Sequence, residues 1–213
     1  ELERVARILF DEFEAAQKGK LSEKKKGGRI LKLILFGSYA RGDWVEDHKS
    51  GYRSDYDLLV VVDKETFVDP HDYWDPAAER FLRELTVTKH LATPVNFIVH
   101  SLSDLNDQLA HGRPFFVDIA RDGIVIYELP GYPLASPKSL APEEARAEAQ
   151  RHFDHWFPNA AHRFELAQEA IRRGYDKEAA FDLHQTVERL YHCVLTVLTL
   201  YSGSPQKTEN KAR

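Results

Sequence analysis

Apolar residues follow two patterns along this chain, helical spacing and short continuous runs, and only the helical spacing persists after residue 129. In the first part, apolar residues at every third or fourth position predict amphipathic helices, whereas short continuous runs of Leu, Ile and Val predict buried strands. The alternation of the two predicts an α+β fold, with helices packed on one mixed sheet. The predicted elements are, in chain order, helix 1–18, strand 29–36, strand 54–62, helix 75–91 (with Phe81, Leu82 and Leu85 facing the core), strand 94–99, a helix capped near Ser103, helix 115–121 and strand 124–127.

Prolines are concentrated in residues 130–142. Proline resists both helix and sheet, so this segment predicts a stiff linker. The linker would join a first domain, 1–129, to a second one, 143–213, which we expect to be all-α and incomplete.

The second domain shows helical spacing throughout. One helix is predicted over 143–173, with an interruption at Phe157–Pro158, and a longer one over 177–201. Two helices cannot bury both of their apolar faces against each other, so we expect further helices or a partner chain to cover them. The apolar stripe of the longer helix comprises Phe181, Leu183, Val187, Leu190, Val194 and Leu198.

The candidate functional residues lie at the end of the first predicted strand and at the start of the second. Gly37 and Ser38 are small residues at which backbone N–H groups can approach a charged ligand closely. The Ser38 hydroxyl can bond to a phosphate oxygen, and Arg41 can offer a charged fork to the same group. Asp55 and Asp57 are two residues apart in a strand, so their side chains point to the same face. Two adjacent carboxylates favour a bridging cation, and oxygen ligands suit magnesium.

The segment between these motifs, 43–53, is charged and contains a Ser50–Gly51 turn signal. It predicts a surface loop. Loops accept insertions at little thermodynamic cost, so its length does not weaken the assignment of the flanking motifs.

The two motifs together resemble the nucleotidyltransferase superfamily related to DNA polymerase beta. The sequences Phe36-Gly-Ser-Tyr-Ala-Arg-Gly-Asp43 and Ser54-Asp-Tyr-Asp-Leu58 are similar to those of the bacterial minimal nucleotidyltransferases and of kanamycin nucleotidyltransferase-type enzymes. The resemblance implies a mixed sheet with flanking helices. It also implies transfer of a nucleoside monophosphate from a triphosphate, with ATP expected, to a hydroxyl acceptor and release of pyrophosphate. The acceptor could be a protein side chain, an RNA end or an aminoglycoside-like small molecule.

The resemblance also assigns roles to the residues of the two motifs. Gly37 and Ser38 would bind the nucleotide triphosphate, and Arg41 is a weaker assignment to the same site. Asp55 and Asp57 would bind Mg²⁺ and serve as catalytic residues.

Asn96 departs from the family pattern, because a third carboxylate is expected at its place in the strand 94–99. An amide can orient a hydroxyl or a water but cannot take its proton at neutral pH. Three interpretations follow: a slower transferase, a substrate that supplies its own base, or a nucleotide-binding sensor without transferase activity. His100 and Asp104 lie nearby and could substitute, although an Asp after Ser103 is typical of a helix cap.

The sequence from Ala180 to His192 is similar to the HEPN helical domain, which is often encoded beside or fused to minimal nucleotidyltransferases. The resemblance covers the last seventy residues or so and implies dimerisation through the helices. HEPN ribonucleases carry an Arg-x4-6-His motif on a later helix, so Arg146 and His152, which fit the spacing, sit on the wrong one. The resemblance leaves open a toxin–antitoxin component in which the transferase restrains a nuclease.

His184, Glu188 and His192 are four residues apart each and share one helical face. The spacing allows a metal site, but it does not match the His-Glu-x-x-His pattern. On a helix rich in Leu and Val, we favour packing or partner contacts for these side chains.

Composition is consistent with a cytoplasmic enzyme. The chain has 213 residues, which allows one large or two small domains, and a net charge of −5, which lacks the basic footprint of a dedicated nucleic-acid binder. The basic run at 24–26 is expected to be a solvated loop. Cys193 has no second cysteine to pair with, and no apolar run has membrane-spanning length. The chain starts at Glu1 and contains no methionine, so we expect a piece of a longer product.

Overall fold

The computed structural model describes residues 1–18, 20–47, 49 and 52–200 and divides into two compact units. Unit 1 comprises Glu1–His111 and Phe116–Lys138. Unit 2 comprises Gly112–Phe115 and Ser139–Arg213, of which residues up to 200 are described. Within the described residues, no helix combines the length and apolarity that crossing a membrane requires.

A four-stranded mixed sheet forms the centre of unit 1, as predicted. Its strand order is β5-β4-β1-β6. The strand β1 pairs antiparallel with both β4 and β6, whereas β4 and β5 are parallel. The bounds are β1 Ile30–Phe36, β4 Tyr56–Val62, β5 Val95–Ser101 and β6 Ile124–Glu128, and a separate two-stranded hairpin consists of β2 Glu46–Asp47 and β3 Tyr52–Arg53.

The described residues of unit 1 also form six α-helices, among them the four that were predicted. Four of them precede β5: α1 Leu2–Lys18, α2 Gly37–Arg41, α3 Pro70–Tyr73 and α4 Asp75–Thr86. The other two follow it: α5 Leu102–Ala110 and α6 Pro114–Asp122, the first two residues of α6 being assigned to unit 2. The α5 cap is Ser101 rather than Ser103, since the Ser101 hydroxyl accepts the Asp104 N–H at 3.2 Å.

The main core of unit 1 lies between one face of the sheet and the helices α1, α3 and α4. Strand positions alternate between faces, so Leu58, Val60 and Val62 contribute to this core, whereas Leu59 and Val61 are buried on the opposite face. The helical contribution includes Val5, Ile8, Leu9, Phe13, Trp74, Ala77 and Phe81.

The inner face of α4 differs from the prediction. Phe81 is buried, but Leu82 is exposed and Glu84 is buried in its stead. The Glu84 carboxylate accepts hydrogen bonds from the Arg4 guanidinium, which compensates for the burial of its charge. The helix also ends at Thr86, short of the predicted residue 91.

Unit 2 contains two long helices, α7 Pro142–Arg172 and α8 Asp176–Thr199. The interruption predicted at Phe157–Pro158 is wrong, because Pro158 lies inside the continuous α7. A proline removes one helical hydrogen bond, and the long packing interface with α8 offsets that loss. Small and polar side chains are buried in the two helices: Ala160, Ala167, Ala170, Ala179, Thr186, Cys193 and Thr196.

The predicted apolar stripe of α8 faces outwards. Phe181 is 58% exposed and Leu198 is 73% exposed. Large apolar residues of α7 are exposed as well, namely Phe153, Phe157, Phe164, Leu166 and Ile171. The part of the chain that the structure describes therefore leaves an apolar surface on these two helices uncovered.

The proline-rich stretch before α7 has neither helix nor strand, and Pro142 itself begins α7. Within unit 1, its Tyr132 hydroxyl accepts a hydrogen bond from Arg29 at 2.6 Å, and its Lys138 N–H donates to the Leu109 carbonyl at 3.0 Å. The first part of this stretch is therefore bonded to the sheet unit.

Candidate functional site

Three strands bring the predicted site residues to one edge of the sheet. Phe36, the last residue of β1, pairs with Asp57 on β4, and Asn96 on β5 pairs with Asp57 from the other side. Asp55 lies immediately before β4. Gly37 follows directly after Phe36, so the two sequence motifs meet at this edge.

Both carboxylates face the same side chain, that of Asn96. Its Nδ2 donates to Asp55 Oδ2 at 2.7 Å. The same amide also lowers the pKa of the Asp57 carboxyl, so it lies close to that carboxylate as well. Tyr56, between the two acids, packs against the core and against Tyr39, with ring centroids 4.5 Å apart. The alternation expected of a strand is thus observed at this point.

The ionised form of Asp57 is disfavoured in the folded protein. Partial burial raises the pKa of the Asp57 carboxyl, and the neighbouring negative charge of Asp55 raises it further. The Asn96 amide and the charge of Arg41 lower the same pKa, but by less. A cation bound by both carboxylates would relieve this repulsion.

The donor set fits a hard divalent cation. Among the described residues there is no group of three or more His, Cys, Asp or Glu side chains that could enclose a metal. Mg²⁺ does not need such a cage, since it is commonly held by one or two carboxylates together with waters and substrate phosphates. Asp55 and Asp57 are the residues that could hold it.

Gly37 is required by its proximity to Asp57. Its φ is +74°, a left-handed conformation, and a Cβ added there would lie 2.5 Å from Asp57 Oδ2. Any side chain would therefore displace the carboxylate. Ser38 follows in the same turn and is partly exposed, so its hydroxyl is available to a ligand.

Arg41 is paired within its own turn. Its Nε lies 3.2 Å from Asp43 Oδ2, and both side chains are exposed. The charge of Arg41 nevertheless lowers the pKa of Asp57, so the guanidinium lies within electrostatic reach of the site. A phosphate group would have to compete with Asp43 for it.

His100 and Asp104 do not replace the missing carboxylate. They bond to each other, His100 Nδ1 to Asp104 Oδ2, at 2.5 Å. His100 is four residues further along β5 than Asn96, which corresponds to about 13 Å at strand rise. The interaction with His100 lowers the pKa of Asp104, and the pair belongs to the start of α5.

Four residues of the segment 43–53, which was predicted to be a surface loop, are paired as short strands. Its β2 and β3 form a hairpin, and next to it the buried Ser54 makes two hydrogen bonds with Val45. Ser54 was not predicted to matter. The available signal was the turn between Val45 and Tyr52, but strands of two residues are too short for a periodicity argument, and Ser50–Gly51 lie outside the described residues.

The histidines of unit 2 do not form a metal centre in the described part of the chain. His184 lies 3.6 Å from Glu188 as an exposed pair, and His192 stacks on Trp156 with ring centroids 4.9 Å apart. His152 is half-buried beside Glu148, and this partial burial lowers its pKa. His152 and His192 thus contact neighbouring side chains of their unit, whereas His184 is exposed.

A comparison with known protein families matches the part of the chain that carries this edge of the sheet. A family model described as a nucleotidyltransferase domain matches residues 16–103. A curated protein of Methanocaldococcus jannaschii, named as a candidate protein adenylyltransferase, is 35% identical over 105 residues, which are 49% of this chain and 86% of that protein. No solved structure matches the chain significantly. The matched region contains all the residues of the site.

Proposed function

We propose that this chain, which belongs to the nucleotidyltransferase family, transfers a nucleoside monophosphate from a nucleoside triphosphate to a hydroxyl acceptor. ATP is the triphosphate that we expect. The observation that carries the proposal is the convergence of Asp55, Asp57 and Asn96 beside Gly37. In the reaction, the acceptor oxygen forms a bond to the α-phosphorus, the bond between that phosphorus and the bridging oxygen to the β-phosphate breaks, and pyrophosphate leaves.

Asp55 and Asp57 would hold Mg²⁺. The metal would supply positive charge to the triphosphate and offset the charge that develops in transfer. The two carboxylates would keep that charge in a fixed place, because Asp57 is part of the sheet ladder and Asp55 is hydrogen-bonded to Asn96.

The nucleotide would lie against the turn at Gly37 and Ser38. The absence of a side chain at Gly37 leaves the backbone open to a phosphate, and the Ser38 hydroxyl can donate to a phosphate oxygen. Arg41 would exchange its ion pair with Asp43 for one with the triphosphate. The side chains of Arg41 and Asp43 are both exposed.

Asn96 would orient the acceptor without taking its proton. The side-chain oxygen of an amide can accept a hydrogen bond from a hydroxyl, but an amide is not a base at neutral pH. The proton of the acceptor would therefore pass to solvent or to a group on the acceptor itself.

A protein hydroxyl is the acceptor that we favour. The relative in Methanocaldococcus jannaschii carries the name of a protein adenylyltransferase, and the match covers most of that protein. An RNA end and a small hydroxyl compound are the other acceptors of this reaction class.

The decisive experiment is incubation with α-labelled ATP and Mg²⁺ in the presence of candidate proteins, RNA and small hydroxyl compounds. We expect label on a protein, with release of pyrophosphate, and loss of both in the double variant Asp55→Ala/Asp57→Ala. A suitable control is Asp118→Ala, an exposed acid on α6 that is paired with Arg121. Undiminished transfer by the double variant would contradict the proposal.

A second candidate function, a nucleotide sensor, is favoured by the amide at position 96. A sensor would bind ATP and Mg²⁺ without releasing pyrophosphate. Detectable turnover that depends on Asp55 excludes it.

We also propose that a HEPN-type helical unit, α7 and α8, forms a homodimer through its exposed apolar stripe. The exposure of Phe181, Val187, Val194 and Leu198 supports this, because monomers rarely leave so many large apolar side chains uncovered on one helix. Light scattering should give twice the chain mass, and Val194→Asp should restore the monomer. A monomeric wild-type protein would contradict the proposal.

A further inference from the structure

Asp55 lies outside any strand, yet it is flanked by two anchored residues. On its far side, the Tyr56 N–H donates to the Pro94 carbonyl at 2.8 Å. On its near side is Ser54, which is buried although it belongs to the same irregular segment. The position of the Asp55 backbone is therefore set by the hydrogen bonds of both Tyr56 and Ser54.

Ser54 is held by Val45 through two hydrogen bonds. The Ser54 N–H donates to the Val45 carbonyl at 2.9 Å, and the Ser54 hydroxyl oxygen accepts from the Val45 N–H at 3.0 Å. The second bond needs the serine side chain. Val45 leads into β2, so these bonds close the base of the hairpin directly beside Asp55.

Arg53 ties the same hairpin to the segment before β5. Its guanidinium pairs with Glu46 on β2 and donates to the Ala92 carbonyl at 2.6 Å. Ala92 is four residues before Asn96, the side chain that holds the Asp55 carboxylate. The hairpin thus contacts both segments that place Asp55 and Asn96.

From this geometry we infer that Ser54 is a positioning residue for Asp55, and that the hairpin of β2 and β3 supports the metal site rather than merely lengthening a loop. The inference rests on the proposed function, because it takes Asp55 as a metal ligand. Groups that orient metal ligands typically change metal affinity by about 10- to 100-fold when they are removed.

The test is calorimetric titration of the nucleotide-free protein with Mn²⁺, which replaces Mg²⁺ as the probe. Ser54→Ala removes the hydroxyl acceptor, and we expect Mn²⁺ binding to weaken by about tenfold or more. Ser54→Thr keeps a hydroxyl and should restore most of the affinity. Arg53→Ala, at a partly exposed position, should weaken binding to a smaller extent.

Ser101→Ala is the matched control. Ser101 is a fully buried serine whose hydroxyl also accepts a backbone N–H, that of Asp104, but it lies at the opposite end of β5 from Asn96. This variant should lower the unfolding temperature without changing Mn²⁺ affinity. The comparison separates a loss of stability from a loss of positioning.

The outcomes are distinct from those of the proposed function. If Asp55→Ala/Asp57→Ala abolishes Mn²⁺ binding while Ser54→Ala and Arg53→Ala retain wild-type affinity, the positioning role is wrong and the metal assignment stands. If the double variant binds Mn²⁺ like the wild-type protein, or the wild-type protein binds none, both fail. Should Ser54→Ala not fold, Arg53→Ala and Ser54→Thr decide the question, and unchanged affinity in Arg53→Ala then overturns the inference.

Discussion

The Asn96 side-chain amide donates a hydrogen bond of 2.7 Å to the carboxylate of Asp55. The resemblance to nucleotidyltransferases led us to expect a carboxylate at position 96. The structure shows a donor there that partly offsets the negative charge of the acidic pair, since the Asn96 amide also lowers the pKa of Asp57. The amide therefore holds the acidic pair in place, but it cannot accept a proton as a carboxylate would.

Asn96→Asp should therefore make the protein more dependent on metal. A third carboxylate within hydrogen-bonding distance of Asp55 adds repulsion, so the unfolding temperature in EDTA should fall and the increase on adding Mg²⁺ should grow. Transfer should accelerate, by about 10²-fold or more if the new carboxylate serves as a general base. Thermal unfolding and pyrophosphate release measure the two effects.

Asn96→Ala is the control for that variant, because it removes the hydrogen bond without adding a charge. Equal unfolding temperatures of Asn96→Asp in EDTA and in Mg²⁺ would show that position 96 does not face the metal.

Asp57→Asn should stabilise the protein while abolishing transfer. The raised pKa of Asp57 means that its ionised form is disfavoured in the folded state, a cost that is present above the folded-state pKa and absent below the usual range near 4. The variant should unfold at a higher temperature than wild type at pH 7, and the difference should shrink as the pH falls. Transfer should drop by about a hundredfold or more, because a carboxylate that we propose as a metal ligand is lost.

Thermal unfolding without divalent metal between pH 7 and pH 3 checks this prediction. A lower unfolding temperature for Asp57→Asn at pH 7 would mean that the charge of Asp57 is not a source of strain.

Gly37→Ala should disturb Asp57 as well as the backbone. Left-handed φ costs an alanine about 1–2 kcal/mol, and its Cβ would additionally meet the Asp57 carboxylate. Gly42→Ala is the matched variant, because Gly42 has φ +81° but no neighbouring atom within 4 Å of an added Cβ. Denaturant unfolding should show a larger loss for Gly37→Ala, and calorimetry should show weaker Mn²⁺ binding for that variant alone. Equal losses in both would remove the close approach as the reason for glycine.

Asp72 should contribute to stability in a defined range of pH. Hydrogen bonds from Lys20 at 2.8 Å and Lys25 at 2.5 Å lower its pKa to about 2. The stabilisation is present above the ordinary aspartate pKa near 4 and is lost as the pH falls towards 2. Asp72→Asn should therefore unfold at a lower temperature than wild type at pH 6, and the two should converge near pH 2. A difference that persists at pH 2 would point to packing rather than to charge.

The sheet of unit 1 followed from local patterns. Short, mostly apolar runs next to turn residues, as in β1 and β4, predicted the strands, and the period of a strand predicted the shared side of Asp55 and Asp57. These features depend on neighbours in sequence.

The errors involve partners distant in sequence. Leu82 was expected inside because hydrophobicity alone placed the face of α4, whereas Arg4, eighty residues away, makes burial of Glu84 favourable. Pro158 was expected to break α7, and packing along α8 overrides that local preference. The two hydrogen bonds between Ser54 and Val45 were not predicted, because such bonds do not alter the periodicity of apolar residues.

The assignment of Gly112–Phe115 to unit 2 bears on how this protein can be divided. A cut within the predicted linker 130–142 leaves these four residues without the rest of their unit. Arg113 would lose the carboxylate of Glu148, its ion-pair partner. Producing unit 1 by itself therefore requires a redesigned turn between α5 and α6, and a boundary chosen from the sequence alone would overlook it.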